Sequence, residues 1–363
     1  MTVIAFSGVF VANHVFWLVI AIATAISGCD GRLTGTGEIQ PPAGALRDTS
    51  GVPLNDLITF RYMGFDGGLY PGRSNAMPAE HARVGVLRAR TVQPLDANGN
   101  PSPGGKYVLL SVGMSNTSNE FCGSASGASC APSTFMAAAA ADAVVNRSTL
   151  VIVNGAQGGE DAVDWDSPTD QTYDRARDRL TQLGVTEKQV QIVWLKQADA
   201  NPSVSLPALQ ADAYRLETYL GDIVRSLRVR YPNIRQVFLS SRTYGGYAVS
   251  DLNPEPFAYE SAFSVKWVVQ AQIDQMQRGQ LVDTRAGNLD YDAGAPWIAW
   301  GPYLWANGIA PRSDGLLWVR SDFVSDGTHP SPMGAQKVAA ALLGFFKTSP
   351  QARCWFVNGA VCG

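Results

Sequence analysis

From residue 106 onward the chain alternates short apolar runs with amphipathic stretches, and this alternation restricts its fold more than any other feature. Lys106–Val112, Thr149–Val153, Val190–Leu195, Gln236–Ser240 and Ala295–Trp300 are short runs rich in β-branched and aromatic residues. Strands that are apolar throughout are buried on both faces, the environment of a parallel sheet covered by helices. Between them lie the helical stretches. An Ala-rich segment spans 134–146, and a second helix has Ser167 at its N-cap, Pro168 at its first position and Gly184 just past Leu183. Leu206, Leu209, Ala213, Leu216, Leu220, Ile223 and Leu227 step by three and four along a long helix that Pro232 closes. A helix near 260–278 follows, and a last one runs from the Ser331 cap and Pro332 to about Lys347. The expected fold is α/β, with a central, mostly parallel five-stranded sheet. In such sheets ligand-handling residues gather beyond the C-terminal strand ends. Residues 51–105 do not follow the alternation. They read as a loop-rich lead-in, either a small β unit or a segment folded over the site.

Residues 3–27 are largely apolar and lead into Ala25-Ile-Ser-Gly-Cys29-Asp30, the pattern of an export signal. Ile-Ser-Gly-Cys resembles the bacterial lipobox, which makes Cys29 the expected lipidation site and first mature residue. Cleaved secretion and an uncleaved anchor are the alternatives, since the segment lacks Lys and Arg before its apolar run and Asn13-His14 interrupts it. The expected location is therefore the cell envelope, through an N-terminal lipid anchor, or the exterior. Residues 30–50 read as a tether and 51–363 as one domain. No other run reaches the length of a membrane span. Four further cysteines, Cys122, Cys130, Cys354 and Cys362, admit three pairings. Export favours disulfides, and the local pairs 122–130 and 354–362 need no long-range closure, each stabilising by about 2–3 kcal/mol. A metal site is the rival reading, but it wants closer cysteine spacing and nearby histidines. With a net charge of -3 and 16% charged residues, there is no electrostatic footprint for nucleic acid.

Histidine is scarce. Of three in the chain, His14 lies in the apolar N-terminal segment, leaving His81 and His329 as imidazole bases. His81, within Glu-His-Ala-Arg, reads as a solvated surface residue. His329 follows Asp326 by three positions and precedes a helix start, which suits a base oriented by an acid. The first strand ends in Val112-Gly-Met-Ser115-Asn116, where the glycine permits a tight turn and puts the serine hydroxyl at the sheet edge. The second ends in Asn154-Gly-Ala-Gln-Gly158-Gly159, a turn that lets backbone N–H groups approach a ligand. The third ends in Lys196-Gln197-Ala198-Asp199.

Taken together, these blocks resemble the SGNH (GDSL-like) hydrolases, and Gly113-Met-Ser115-Asn116 is similar to the Gly-Gln-Ser-Asn variant of carbohydrate and sialate acetylesterases. The resemblance spans roughly 106–347. It implies a three-layer α/β/α, flavodoxin-like sandwich and a serine esterase. Ser115 would be the nucleophile, His329 the general base, Asp326 its orienting acid, and Gly159 a backbone donor, with Ser115, to the oxyanion. The family's Gly-x-Asn-Asp is missing at the third strand. Its asparagine position holds Ala198, so Gln197 is the expected substitute donor, with Lys196 and Asn201 as alternatives. Asn116 and Arg242 are expected to contact substrate; Arg242 would bind an acidic sugar or else pair with Glu260. Trp297, Trp300, Tyr303 and Trp305 would be sugar platforms or core. No metal or cofactor is needed for this chemistry. The expected activity is removal of ester groups, O-acetyl foremost, from a carbohydrate. The alternatives are a non-catalytic carbohydrate-binding protein on the same fold and a lipid-acting esterase with an apolar trough beside the site.

Overall fold

The computed structural model describes residues 47–48, 50–124 and 129–362. The expected export signal, Cys29 and most of the tether lie outside the described residues. The lead-in opens with strands β1 (Arg47–Asp48), β2 (Phe60–Tyr62) and β3 (Phe65–Asp66), which form a small mixed sheet, followed by helix α1 (Ala79–Arg90). The main unit then runs β4 (Tyr107–Gly113), α2 (Ser115–Phe121), α3 (Phe135–Ala141), β5 (Leu150–Asn154), α4 (Gln171–Gln182), β6 (Val190–Lys196), α5 (Asp212–Arg230), β7 (Gln236–Leu239), α6 (Phe257–Arg278), β8 (Trp297–Trp300), α7 (Pro332–Thr348) and α8 (Arg353–Phe356).

The five long-chain strands pair in the order β5-β4-β6-β7-β8, and every pairing is parallel. This is the α/β/α, flavodoxin-like order. The chain steps from β4 to one side, then returns to the other, so the topological switch falls at β4.

Alternation along each strand builds two cores. Val108, Leu110 and Val112 of β4, with Val193, Leu195, Val237, Leu239 and Ile298, meet residues of α4, α5 and α6. Tyr107 and Leu109, with Ile192, Trp194, Phe238 and Trp297, meet α3, α7, α8 and Phe121 of α2. Both faces are apolar because both are covered, and each large side chain buried this way contributes about 1.5–3 kcal/mol. The lead-in extends these cores. Tyr62 stacks on Phe263 of α6, and Ala89 of α1 joins the α7 side. Disulfides join Cys122 to Cys130 and Cys354 to Cys362. Among the described residues no helix is long and apolar enough to cross a membrane.

Three helices depart from the sequence expectation, each for a local polar reason. The Ala-rich helix stops at Ala141 because the Asp142 carboxylate accepts the Val144 amide at 3.0 Å and binds Lys347 at 2.7 Å. Such a side-chain turn competes with helix continuation. Ser167 is not an N-cap: its amide donates to Asp170 Oδ2 at 2.8 Å, closing a turn, and α4 starts after Asp170. Leu206 and Leu209 fall outside α5, which begins at Asp212, and Leu209 is 85% exposed. The Asp212 carboxylate accepts the amides of Ser203 and Val204 and fixes this start, so the apolar spacing of Leu206 and Leu209 matched the helix by coincidence.

Glu217 of α5 is 1% exposed, and its Oε1 has no hydrogen-bond partner. Burial first, then the Asp283 carboxylate, push its carboxyl up to about 8, against the pull of Arg285. A carboxyl raised on folding binds more protons in the folded state, so stability is lost as pH rises from the ordinary glutamate range towards 8. Glu217→Gln is expected to raise the melting temperature at pH 8 and to flatten its decline between pH 5 and 8, measured by thermal unfolding across that range.

Candidate active site

β4 ends at Gly113, where a Cβ would meet the Lys196 carbonyl oxygen at 2.2 Å and Thr117 Oγ1 at 2.4 Å. Only glycine lets the strand stop this close to β6. Met114 is extended, and α2 starts at Ser115, above the switch point of the sheet. The helix has seven residues, too few to be stable alone. Its polar side chains tie it to its surroundings instead. Asn116 Nδ2 donates to the Thr328 carbonyl at 2.8 Å, and Thr117 Oγ1 donates to the Lys196 carbonyl at 2.6 Å. Ser118 Oγ accepts from Asn154 Nδ2 at 3.0 Å, and Glu120 takes the Lys196 ammonium.

Thr328 belongs to the loop between β8 and α7 that carries Asp326 and His329. Gly327 turns this loop at φ 71°, packed so closely that a Cβ would strike the Tyr247 carbonyl oxygen. The turn brings Asp326 back onto its own loop. Asp326 Oδ1 accepts the amides of Thr328 and His329 at 2.8 and 2.9 Å, and Oδ2 lies 2.6 Å from His329 Nδ1. His329 Nε2 lies 2.7 Å from Ser115 Oγ. Burial pushes the Asp326 carboxyl up, but the bonds from the His329 ring and the two amides outweigh it and hold the carboxyl below its ordinary range. An ionised carboxylate only accepts, so Nδ1 carries the proton and Nε2 of the neutral ring is left to accept from the serine hydroxyl. The side chains of His329 and Asp326 are 25% and 38% exposed, so the group faces solvent.

The structure thus brings Ser115, His329 and Asp326 into one hydrogen-bonded row. The other expected site residues fare differently. Gln157 N bonds the Gly113 carbonyl at 2.9 Å and draws the turn after β5 against β4. The glycine whose α-carbon faces Ser115 is Gly158, where a Cβ would stand 3.7 Å from that of Ser115. Gly159 follows at φ 85°, with open space around it. Gln197 is buried, and its amide donates to the Asp161 and Glu160 carbonyls at 3.1 and 3.4 Å. It braces the loop after the Gly158 turn and has no N–H left for a ligand. Of its alternatives, Lys196 is consumed by Glu120 and Asn201 lies exposed on the following loop.

Asn116 and Arg242 are not surface contacts for a substrate. Asn116 is fully buried and serves the Thr328 carbonyl. Arg242 is 3% exposed, with Nη1 against Met114 Sδ at 3.7 Å and Nε without a partner. It does not pair with Glu260, whose carboxylate takes the Tyr62 hydroxyl and the Leu206 amide. His81 is buried, not solvated. Its Nε2 lies 2.8 Å from the Ile298 carbonyl, its ring stacks on Trp297 at 5.0 Å, and burial lowers its pKa to about 4. Trp297, Trp300, Tyr303 and Trp305 are all core. Trp305 also lines a cavity of about 250 Å³ with Tyr62, Tyr244 and Tyr259. Among the described residues no three His, Cys, Asp or Glu side chains converge as a metal-ligand set. Sequence reasoning missed Glu120 and Thr117; a lysine ending a mostly apolar strand was the sign of a buried partner.

No family model matches this chain, and no curated protein sequence matches it. Solved structures similar to it include an acetyl xylan esterase, at 13% identity over 65% of this chain and 98% of that one, with a TM-score of 0.35. An extracellular lipase from Streptomyces rimosus is similar at 14% identity over 66% and 99%, with a TM-score of 0.32. An Arabidopsis thaliana protein is similar at 15% identity over 58% of this chain and 66% of that one, with a TM-score of 0.30.

Asn116→Ala would leave the Thr328 carbonyl without its donor beside the Asp326–His329 turn. The variant is expected to lose about 1–3 kcal/mol of stability in urea unfolding.

Proposed function

We propose that this protein is a serine carboxylic-ester hydrolase of the SGNH type. The observation that carries the reading is the pair of short hydrogen bonds linking Asp326, His329 and Ser115 at the C-terminal edge of the sheet. In this reading His329 Nε2 takes the proton as Ser115 Oγ attacks the ester carbonyl, and Asp326 stabilises the imidazolium that forms. The tetrahedral oxyanion is held by the Ser115 N–H, which has no intrahelical carbonyl partner, and by an N–H of the Gly158-Gly159 turn. His329 returns the proton to the departing alcohol. Water, deprotonated by the same imidazole, then releases the acyl group and restores Ser115.

The acyl group is proposed to be small, O-acetyl foremost, on a carbohydrate, and the protein to be exported and anchored by a lipid on Cys29. The similarity of Gly113-Met-Ser-Asn to the acetylesterase variant supports the substrate class. A lipid-acting esterase is the second reading. It is favoured by exposed Val249, Val324 and Met333, since Val249 N bonds the Asp326 carbonyl and Val324 N that of His329.

A fluorophosphonate probe is expected to label Ser115 in the wild type and to leave Ser115→Ala unlabelled; equal labelling of both would sink the nucleophile assignment. Ser115→Ala and His329→Ala are each expected to lower kcat on the order of 10⁴–10⁶-fold. Acetylated sugars should be turned over faster than long-chain esters, and the reverse order would favour the lipid reading.

A further inference from the structure

Lys196 is the last residue of β6 and is 1% exposed, as is Glu120. The Lys196 ammonium lies 2.5 Å from both carboxylate oxygens of Glu120. Its backbone carbonyl accepts the Thr117 hydroxyl at 2.6 Å and stands where a Cβ on Gly113 would be. A single residue of β6 therefore touches the chain just before Ser115 and grips the helix behind it twice. A third charge is close by. Arg242 is buried near Glu120 and Glu255, and its Nη1 rests on the sulfur of Met114, next to Ser115.

A buried ion pair is a weak source of stability, because an apolar pair of the same shape does as well or better. Its distinctive property is geometric. A carboxylate held through both oxygens by one ammonium fixes helix position and rotation together, where an apolar contact tolerates sliding. Placement matters more here than at a site rich in donors. Ala198 supplies no side-chain donor, and the Gln197 amide is spent on the Asp161 loop.

We propose that Lys196 is a positioning residue which, with Glu120 and Thr117, clamps α2 to the end of β6 and holds the Ser115 hydroxyl in line with His329. The proposal rests on Ser115 acting as the nucleophile. The clamp touches no substrate, so it acts on the chemical step and leaves binding alone.

The test uses the double variant Lys196→Met/Glu120→Met, which replaces the pair with unbranched apolar side chains of similar length and leaves no lone buried charge between the two. The Asn116 and Ser118 tethers remain. The readouts are thermal unfolding, amide hydrogen exchange across Thr117–Phe121, and kcat and KM on p-nitrophenyl acetate. The folded double variant is expected to lose protection in α2 and to lose kcat by about 10²-fold, the scale of an ångström-sized misplacement of a reacting group, with KM unchanged. Thr117→Val removes only the hydroxyl bond and is expected to lower kcat in the same direction, also at constant KM. Wild-type kcat in the folded double variant overturns the proposal, as does wild-type kcat in Thr117→Val should the double variant not fold. Failure of the underlying reading looks different: the wild type itself would then neither hydrolyse the ester nor take up a fluorophosphonate at Ser115.

Discussion

A seven-residue helix cannot hold its own position in water, yet α2 carries the serine around which the site is arranged. The structure answers by tying it down with polar side chains. Asn116 reaches the histidine loop, Thr117 and Glu120 reach the end of β6, and Ser118 reaches β5. Because α2 starts at the end of β4, where the chain changes direction across the sheet, these partners come from the neighbouring strands on both sides. The loop with Asp326 and His329 arrives from beyond β8, and the Asn116 bond to Thr328 joins it to the helix. The 2.7 Å approach of His329 to Ser115 is thus the end of a chain of tethers, not a contact made by two residues alone.

Charge is handled inside this frame. The Asp326 carboxylate is partly exposed and satisfied by three donors, which keeps it ionised and sets the tautomer of His329. Deeper down, Lys196 and Arg242 share a buried region with Glu120 and Glu255. Burial lowers the Lys196 pKa to about 8, with Glu120 opposing that shift and Arg242 adding to it. Glu120 takes the Lys196 ammonium directly and lies close enough to Arg242 to favour its charged form, which permits a polar cluster among the mostly apolar strand ends.

Much of the architecture was legible in the chain. The strands of the main sheet fall within a residue or two of their apolar runs, since residues buried on both faces leave a compositional mark that does not depend on partners. Gly184 and Ser331 also act as their types suggest, at φ 72° and as an N-cap to Gly334. The lapses share one cause. The polar groups Asp142, Asp170 and Asp212 bind nearby backbone or a distant side chain and move helix ends by several residues. Helix α2 escaped notice because Ser-Asn-Thr-Ser-Asn-Glu has no apolar period, its order coming from tertiary tethers.

The sequence by itself determined the α/β class, the strand–helix order and the small set of residues able to do acid–base or nucleophilic chemistry, because apolar runs, caps and scarce residue types are local properties. Only the tertiary structure decided what each polar side chain binds. It put His81 in the core, spent Gln197 on a loop, buried Asn116 and Arg242, and paired Lys196 with Glu120. Such partners lie far apart along the chain, and a hydrogen bond or ion pair is specified by proximity and burial, which no single segment encodes.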